Sequence, residues 1–73
     1  MSSSLPRPSD RDAVLAGLPE KGLLRRAAEV QAFAPRRMHR DTVEAVLRQL
    51  WQEGLVVHRD PFDVGLPDRW GRA

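Results

Sequence analysis

Between Arg40 and Gly54, the apolar residues Val43, Val46, Leu47, Leu50 and Trp51 recur at i, i+3, i+4, i+7 and i+8. That spacing puts all five on one stripe of an α-helix and leaves a polar face opposite. A strand cannot use this pattern, because its side chains alternate with a period of two. Asp41 suits the positive end of the helix dipole, and Gly54 supplies a stop. The spacing therefore predicts a helix over 40–53 whose stripe is the main piece of the core. Geometry assigns the opposite face to Asp41, Ala45, Arg48 and Gln52, with Glu44 and Gln49 on its flanks.

Two shorter helices precede it. The stretch PSDRDAVLAGLP predicts a helix over 10–17, with Ser9 as its cap, Ala13, Val14 and Leu18 buried, and Gly17 and Pro19 at its end. The stretch GLLRRAAEVQAFAP predicts a helix over 22–34. Leu23, Ala27, Val30, Phe33 and Ala34 form its apolar side, and Pro35 closes it. Met38 fills the turn that follows.

Beyond Gly54 the pattern changes. Leu55 to Arg59 is strand-like, DPFDVGLPD has loop composition, and RWGRA offers a return strand anchored by Trp70. The expectation is a hairpin of 55–59 and 69–72 packed on the helices, since two strands alone are marginal. Residues 1–8, rich in Ser and Pro, are read as a disordered arm ahead of a single domain over 9–73.

The order helix, helix, helix, strand, loop, strand resembles the winged helix-turn-helix family. The resemblance spans about Ser9 to Ala73 and is strongest in TVEAVLRQLWQEGLVVHR, Thr42 to Arg59, with DRW at 68–70 similar to a closing wing strand. It implies a mostly α fold: three helices with a small β-hairpin. It also implies double-stranded DNA as partner, with the helix near Arg40 in the major groove. Arg48 and Gln49 would read guanine and adenine edges. Arg36, Arg37, His39, Arg40 and Thr42 would meet the duplex at the helix entrance, and Arg59, Arg69 and Arg72 would flank its backbone from the wing. The implied role is a small sequence-specific transcriptional regulator of bacterial, phage or plasmid type, acting in the cytoplasm, alone or as a homodimer.

Charge is consistent with a polyanionic partner but not dominated by it. The net charge is +2, and arginine supplies eleven of the twelve basic residues. Basic character concentrates at Arg36, Arg37, Arg40 and Arg48, which outweigh Asp41 and Glu44. In the loop, Asp60, Asp63 and Asp68 balance Arg59, Arg69 and Arg72. That balance, with Phe62, Val64 and Leu66 alternating along the loop, favours an alternative: an adaptor or subunit of a larger complex that docks on protein through this tip.

Other classes lack their residues. With no cysteine and two distant histidines, there is no zinc-ligand spacing. DPFD has two carboxylates but no glycine at calcium-loop spacing. No phosphate-cradling glycine loop and no nucleophile–histidine constellation occurs, so the chain is read as non-enzymatic and cofactor-free. No apolar run reaches the roughly 20 residues that span a bilayer.

Overall fold

The computed structural model describes residues 8–60, 65 and 67–73. Its elements run α1 (Pro8–Gly17), β1 (Arg25–Arg26), α2 (Ala27–Phe33), α3 (Arg40–Gln52), β2 (Val56–Arg59) and β3 (Arg69–Arg72). Three helices pack on one another, and the strands form an antiparallel sheet in the order β1-β3-β2. Opposite one another in register stand Arg25 and Trp70, Arg26 and Arg69, His58 and Trp70, and Val56 and Arg72.

The stripe of α3 forms the centre of the core. Val43, Val46, Leu47 and Leu50 are fully buried, joined by Val14 of α1 and Val30 of α2. Ala13, Leu18, Met38, Val56 and Trp70 complete the cluster, as expected of the first three and of the hairpin anchor Trp70. Gly54, at φ 81°, ends α3 in the left-handed region that favours glycine.

The structure corrects the sequence reading in four places. The second helix starts at Ala27, not 22, because Arg25 and Arg26 pair with Trp70 and Arg69 as a third strand. Leu23 is thereby left outside the helix at 57% exposure, and Phe33, on the solvent side of α2, is 59% exposed. Arg25 covers part of Phe33, its guanidinium lying 3.8 Å from the ring centroid. Trp51 is not a core residue but 49% exposed, at the edge of the stripe beside the sheet. Ser9 lies inside α1 instead of capping it, since the helix opens at Pro8, whose fixed φ suits a first helical position.

Gly17 is needed for closeness, not for a turn. A β-carbon there would lie 2.5 Å from the Val30 carbonyl oxygen and 3.1 Å from the Ala34 amide nitrogen, so α1 and α2 meet backbone to backbone. In an open helix, alanine in place of glycine stabilises by roughly 0.5–1 kcal/mol. Here overpacking should win, and Gly17→Ala should destabilise the fold by about 1–3 kcal/mol in urea melts. A more stable variant would mean that the helices do not approach this closely.

Candidate nucleic-acid interface

The turn into α3 is held by one side chain of α2. Gln31 Nε2 donates to the Met38 carbonyl at 2.7 Å, and its Oε1 accepts from Arg40 Nε at 2.9 Å. Ala34 is extended, as a residue before proline should be, and leads into the stretch of 35–39. His39 is the N-cap of α3 by backbone conformation, and its carbonyl accepts from the Val43 amide at 3.0 Å. Its side chain makes no cap bond. Gln31 thus sets the direction in which Arg37, His39 and Arg40, all exposed, leave the body.

The solvent face of α3 is the one expected. Asp41, Ala45, Arg48 and Gln52 are exposed, and Thr42, Glu44 and Gln49 are half-buried on the flanks. The two flanks have different surroundings. On the α1 side, Arg11 grips Glu53 with Nη1 and Nη2 at 2.5 and 2.6 Å, and Gln49 Nε2 donates to Glu53 at 3.0 Å. On the other flank, Arg40, Glu44 and Arg48 border a cleft of about 410 Å³. Arg26 at the start of α2 and Asp68, His58 and Trp70 of the sheet side complete its walls.

The aromatic side of that cleft is closely packed. His58 and Trp70 face each other across β2 and β3 and stack with ring centroids 3.7 Å apart and planes 5° apart. Trp51 meets both edge-on, 5.3 Å from His58 and 6.4 Å from Trp70. Burial holds the His58 imidazole below its ordinary pKa. A hydrogen bond that the imidazole donates to the Pro67 backbone carbonyl opposes this, and the charge of nearby Arg48 adds to the lowering.

The arginines among the described residues divide by environment. Arg37, Arg48 and Arg59 make no ion pair or side-chain hydrogen bond among the described residues. Arg36 pairs with Asp10 of α1. Arg69 is drawn inward, with Glu29 at 3.7 Å and Asp68 at 3.4 Å. Arg72, expected to flank a duplex backbone, is instead turned to the end of α1: its Nε donates to the Pro19 carbonyl at 3.0 Å, and its Nη2 donates to the Leu15 carbonyl. Arg25 donates to the Gly17 carbonyl at 2.9 Å, so two strand arginines satisfy carbonyls at the end of α1. Of the residues expected to meet DNA, the structure leaves Arg37, His39, Arg48 and Arg59 outward and ties Arg36, Gln49 and Arg69 to acids of the protein itself.

The loop acids also have local work. Asp60 accepts from the Gly65 amide at 2.5 Å, and Asp68 lies 3.8 Å from Arg26. Phe62, Asp63, Val64 and Leu66 lie outside the described residues. Arg26 escaped the sequence reading because it was assigned to a helix interior. The signal available was Glu29, three positions on, which accepts from the Arg26 amide at 3.1 Å in the manner of a helix start.

Arg11 and then Gln49 hold the Glu53 carboxyl down to about 2 from an ordinary 4.5. The folded chain therefore keeps this carboxylate ionised where the unfolded chain protonates it. The contribution of the pair is complete above pH 4.5 and is lost as pH falls towards 2. Glu53→Gln should flatten the acid limb of a stability–pH curve in that window. An unchanged limb would mean that Arg11 and Glu53 are apart in solution.

Among the described residues, no group of three or more His, Cys, Asp or Glu side chains could hold a metal, and no helix is long and apolar enough to cross a membrane. Compared with known proteins, the chain matches no family profile, no curated protein and no solved structure.

Proposed function

We propose that the chain is a winged helix-turn-helix domain that binds double-stranded DNA, with α3 as its recognition helix, and that it acts as a small transcriptional regulator of bacterial, phage or plasmid type. The reading is carried by Arg48, a cation without a protein partner among the described residues, standing on the solvent face of α3. The order of elements supports it: a short strand before the second helix, pairing with the last strand, and a loop between β2 and β3 in the place of a wing. In the major groove, Arg48 would grip guanine through O6 and N7. Arg37, His39, Arg40 and Thr42 would take phosphates at the entrance of α3, with Arg36 reinforcing them, and Arg59 would take one from the wing.

Binding of this kind releases counterions. With about four phosphates neutralised, log affinity should fall with log salt at a slope near −3.6. Fluorescence anisotropy with a random duplex measures this directly, and no binding at low salt would end the reading. A single module covers only about 600–1,000 Å² on DNA, so tight binding calls for two copies on one site.

One observation favours the protein-docking alternative. Trp51 and Leu55, four residues apart at the end of α3, are 49% and 47% exposed. The two readings part on ionic strength: phosphate contacts fade as salt rises, whereas apolar docking persists. A protein complex that withstands high salt and is lost in Trp51→Ser would favour docking.

A further inference from the structure

We propose that Glu44 is a specificity-determining residue that selects a cytosine in the DNA major groove beside the guanine taken by Arg48. The proposal rests on the DNA-binding reading above and names the base-pair class that reading leaves open.

Glu44 stands one helical turn from Arg40 and one from Arg48, and all three border the cleft. A glutamate four residues before an arginine is the favourable order for pairing along a helix. Glu44 nevertheless makes no ion pair or side-chain hydrogen bond among the described residues. Two of its cationic neighbours are engaged elsewhere, Arg40 with Gln31 and Arg26 with Asp68, and the third, Arg48, forms no ion pair with it. The sheet side of the cleft adds Asp68 and a His58 held towards its neutral form. The carboxylate is thus half-buried with its acceptor capacity unused.

An ionised carboxylate can only accept hydrogen bonds. On a surface that meets phosphates it is repelled, unless it faces a donor. In the major groove, guanine and thymine present acceptors, and adenine sets its N7 acceptor beside its amino group. Cytosine alone presents the N4 amino donor without an acceptor of its own. Arg48, about 6 Å further along the helix axis, has the opposite preference. The two side chains therefore suit a guanine and a cytosine on neighbouring base pairs. Glu44 also weakens binding to every other sequence, which is selection by repulsion.

The test is selection from a randomised duplex library, followed by anisotropy titrations at fixed salt with wild type, Glu44→Ala and Glu44→Gln. Circular dichroism confirms that each variant is folded. Wild type should enrich cytosine at one position, and exchanging that C·G pair for T·A should weaken binding about 5- to 150-fold. In Glu44→Ala the same exchange should matter less than about twofold, and random duplex should bind more tightly than to wild type. In Glu44→Gln the preference should move to adenine. Duplex binding with the same base preferences in wild type and Glu44→Ala overturns this inference and leaves the DNA reading standing. No duplex binding by wild type at low salt overturns both.

Discussion

Leu47→Ala is expected to remove about 2–5 kcal/mol of folding stability. Leu47 is fully buried at the centre of the α3 stripe, between Val43 and Leu50 on its own helix. Its truncation leaves a cavity that helices meeting at backbone contact, as α1 and α2 do at Gly17, cannot collapse to fill. For 73 residues, total stability is on the order of 4–11 kcal/mol, so the loss takes a large share of it. Trp51→Ala provides the contrast. Trp51 is half exposed and keeps only edge contacts to His58 and Trp70, so its removal should cost about 1–2 kcal/mol. Urea titration followed by circular dichroism measures both. If Trp51→Ala proved the more damaging, the tryptophan would belong to the core and the register of α3 would be different.

Arg48→Ala and Arg37→Ala should both weaken DNA binding, in distinguishable ways. In the proposed complex Arg48 would meet base edges, so its loss should cost about 5- to 150-fold on the preferred duplex and far less on a random one. Arg37 would meet phosphate. Its loss should weaken all duplexes alike and reduce the salt slope by about 0.9. Titrations of both variants on both duplexes at three salt concentrations separate these effects. Identical behaviour of the two variants would remove α3 from the role of recognition helix. Arg69→Ala serves as a control: Arg69 is turned towards Glu29 and Asp68, so any effect should appear first in stability.

Much of the fold was legible because one helix announces itself. The α3 stripe repeats over more than two turns, and four of its five apolar positions are fully buried. Trp51 fits the spacing but sits where the helix passes the sheet, and spacing alone does not say how far the neighbouring element reaches. β1 was illegible for a different reason. Arg25 and Arg26 carry no strand preference of their own and are extended because Trp70 and Arg69 pair with them from the other end of the chain. Reading them as helix placed Leu23 on an apolar side that the structure does not form.

The site was legible as a surface but not as a set of contacts. The solvent face of α3 follows from helical geometry. Which arginine faces outward does not, because Arg48, Arg69 and Arg72 are the same residue in sequence. Only their tertiary partners separate them: no ion pair or side-chain hydrogen bond for Arg48 among the described residues, two acids for Arg69, and backbone carbonyls of the α1 end for Arg72. Gln49 likewise is held on the α1 flank by Glu53, which Arg11 holds in turn from 42 positions away.

The hold of Arg72 on the end of α1 has a bearing on the order in which the chain can be assembled. The carbonyls it satisfies, on Leu15 and Pro19, lie 57 and 53 positions earlier. A nascent chain emerging from the ribosome exposes α1 first and β3 last. Until β3 arrives, the Pro19 carbonyl lacks its Arg72 donor, the Leu15 carbonyl keeps only the Leu18 amide of its own turn, and β1 has no strand to pair with. The three helices can collapse around Leu47 early, because all of them precede β3 in the chain and pack on one another without it. The sheet closes only when β3 docks, so the strand that joins β1 to β2 also satisfies carbonyls at the end of α1.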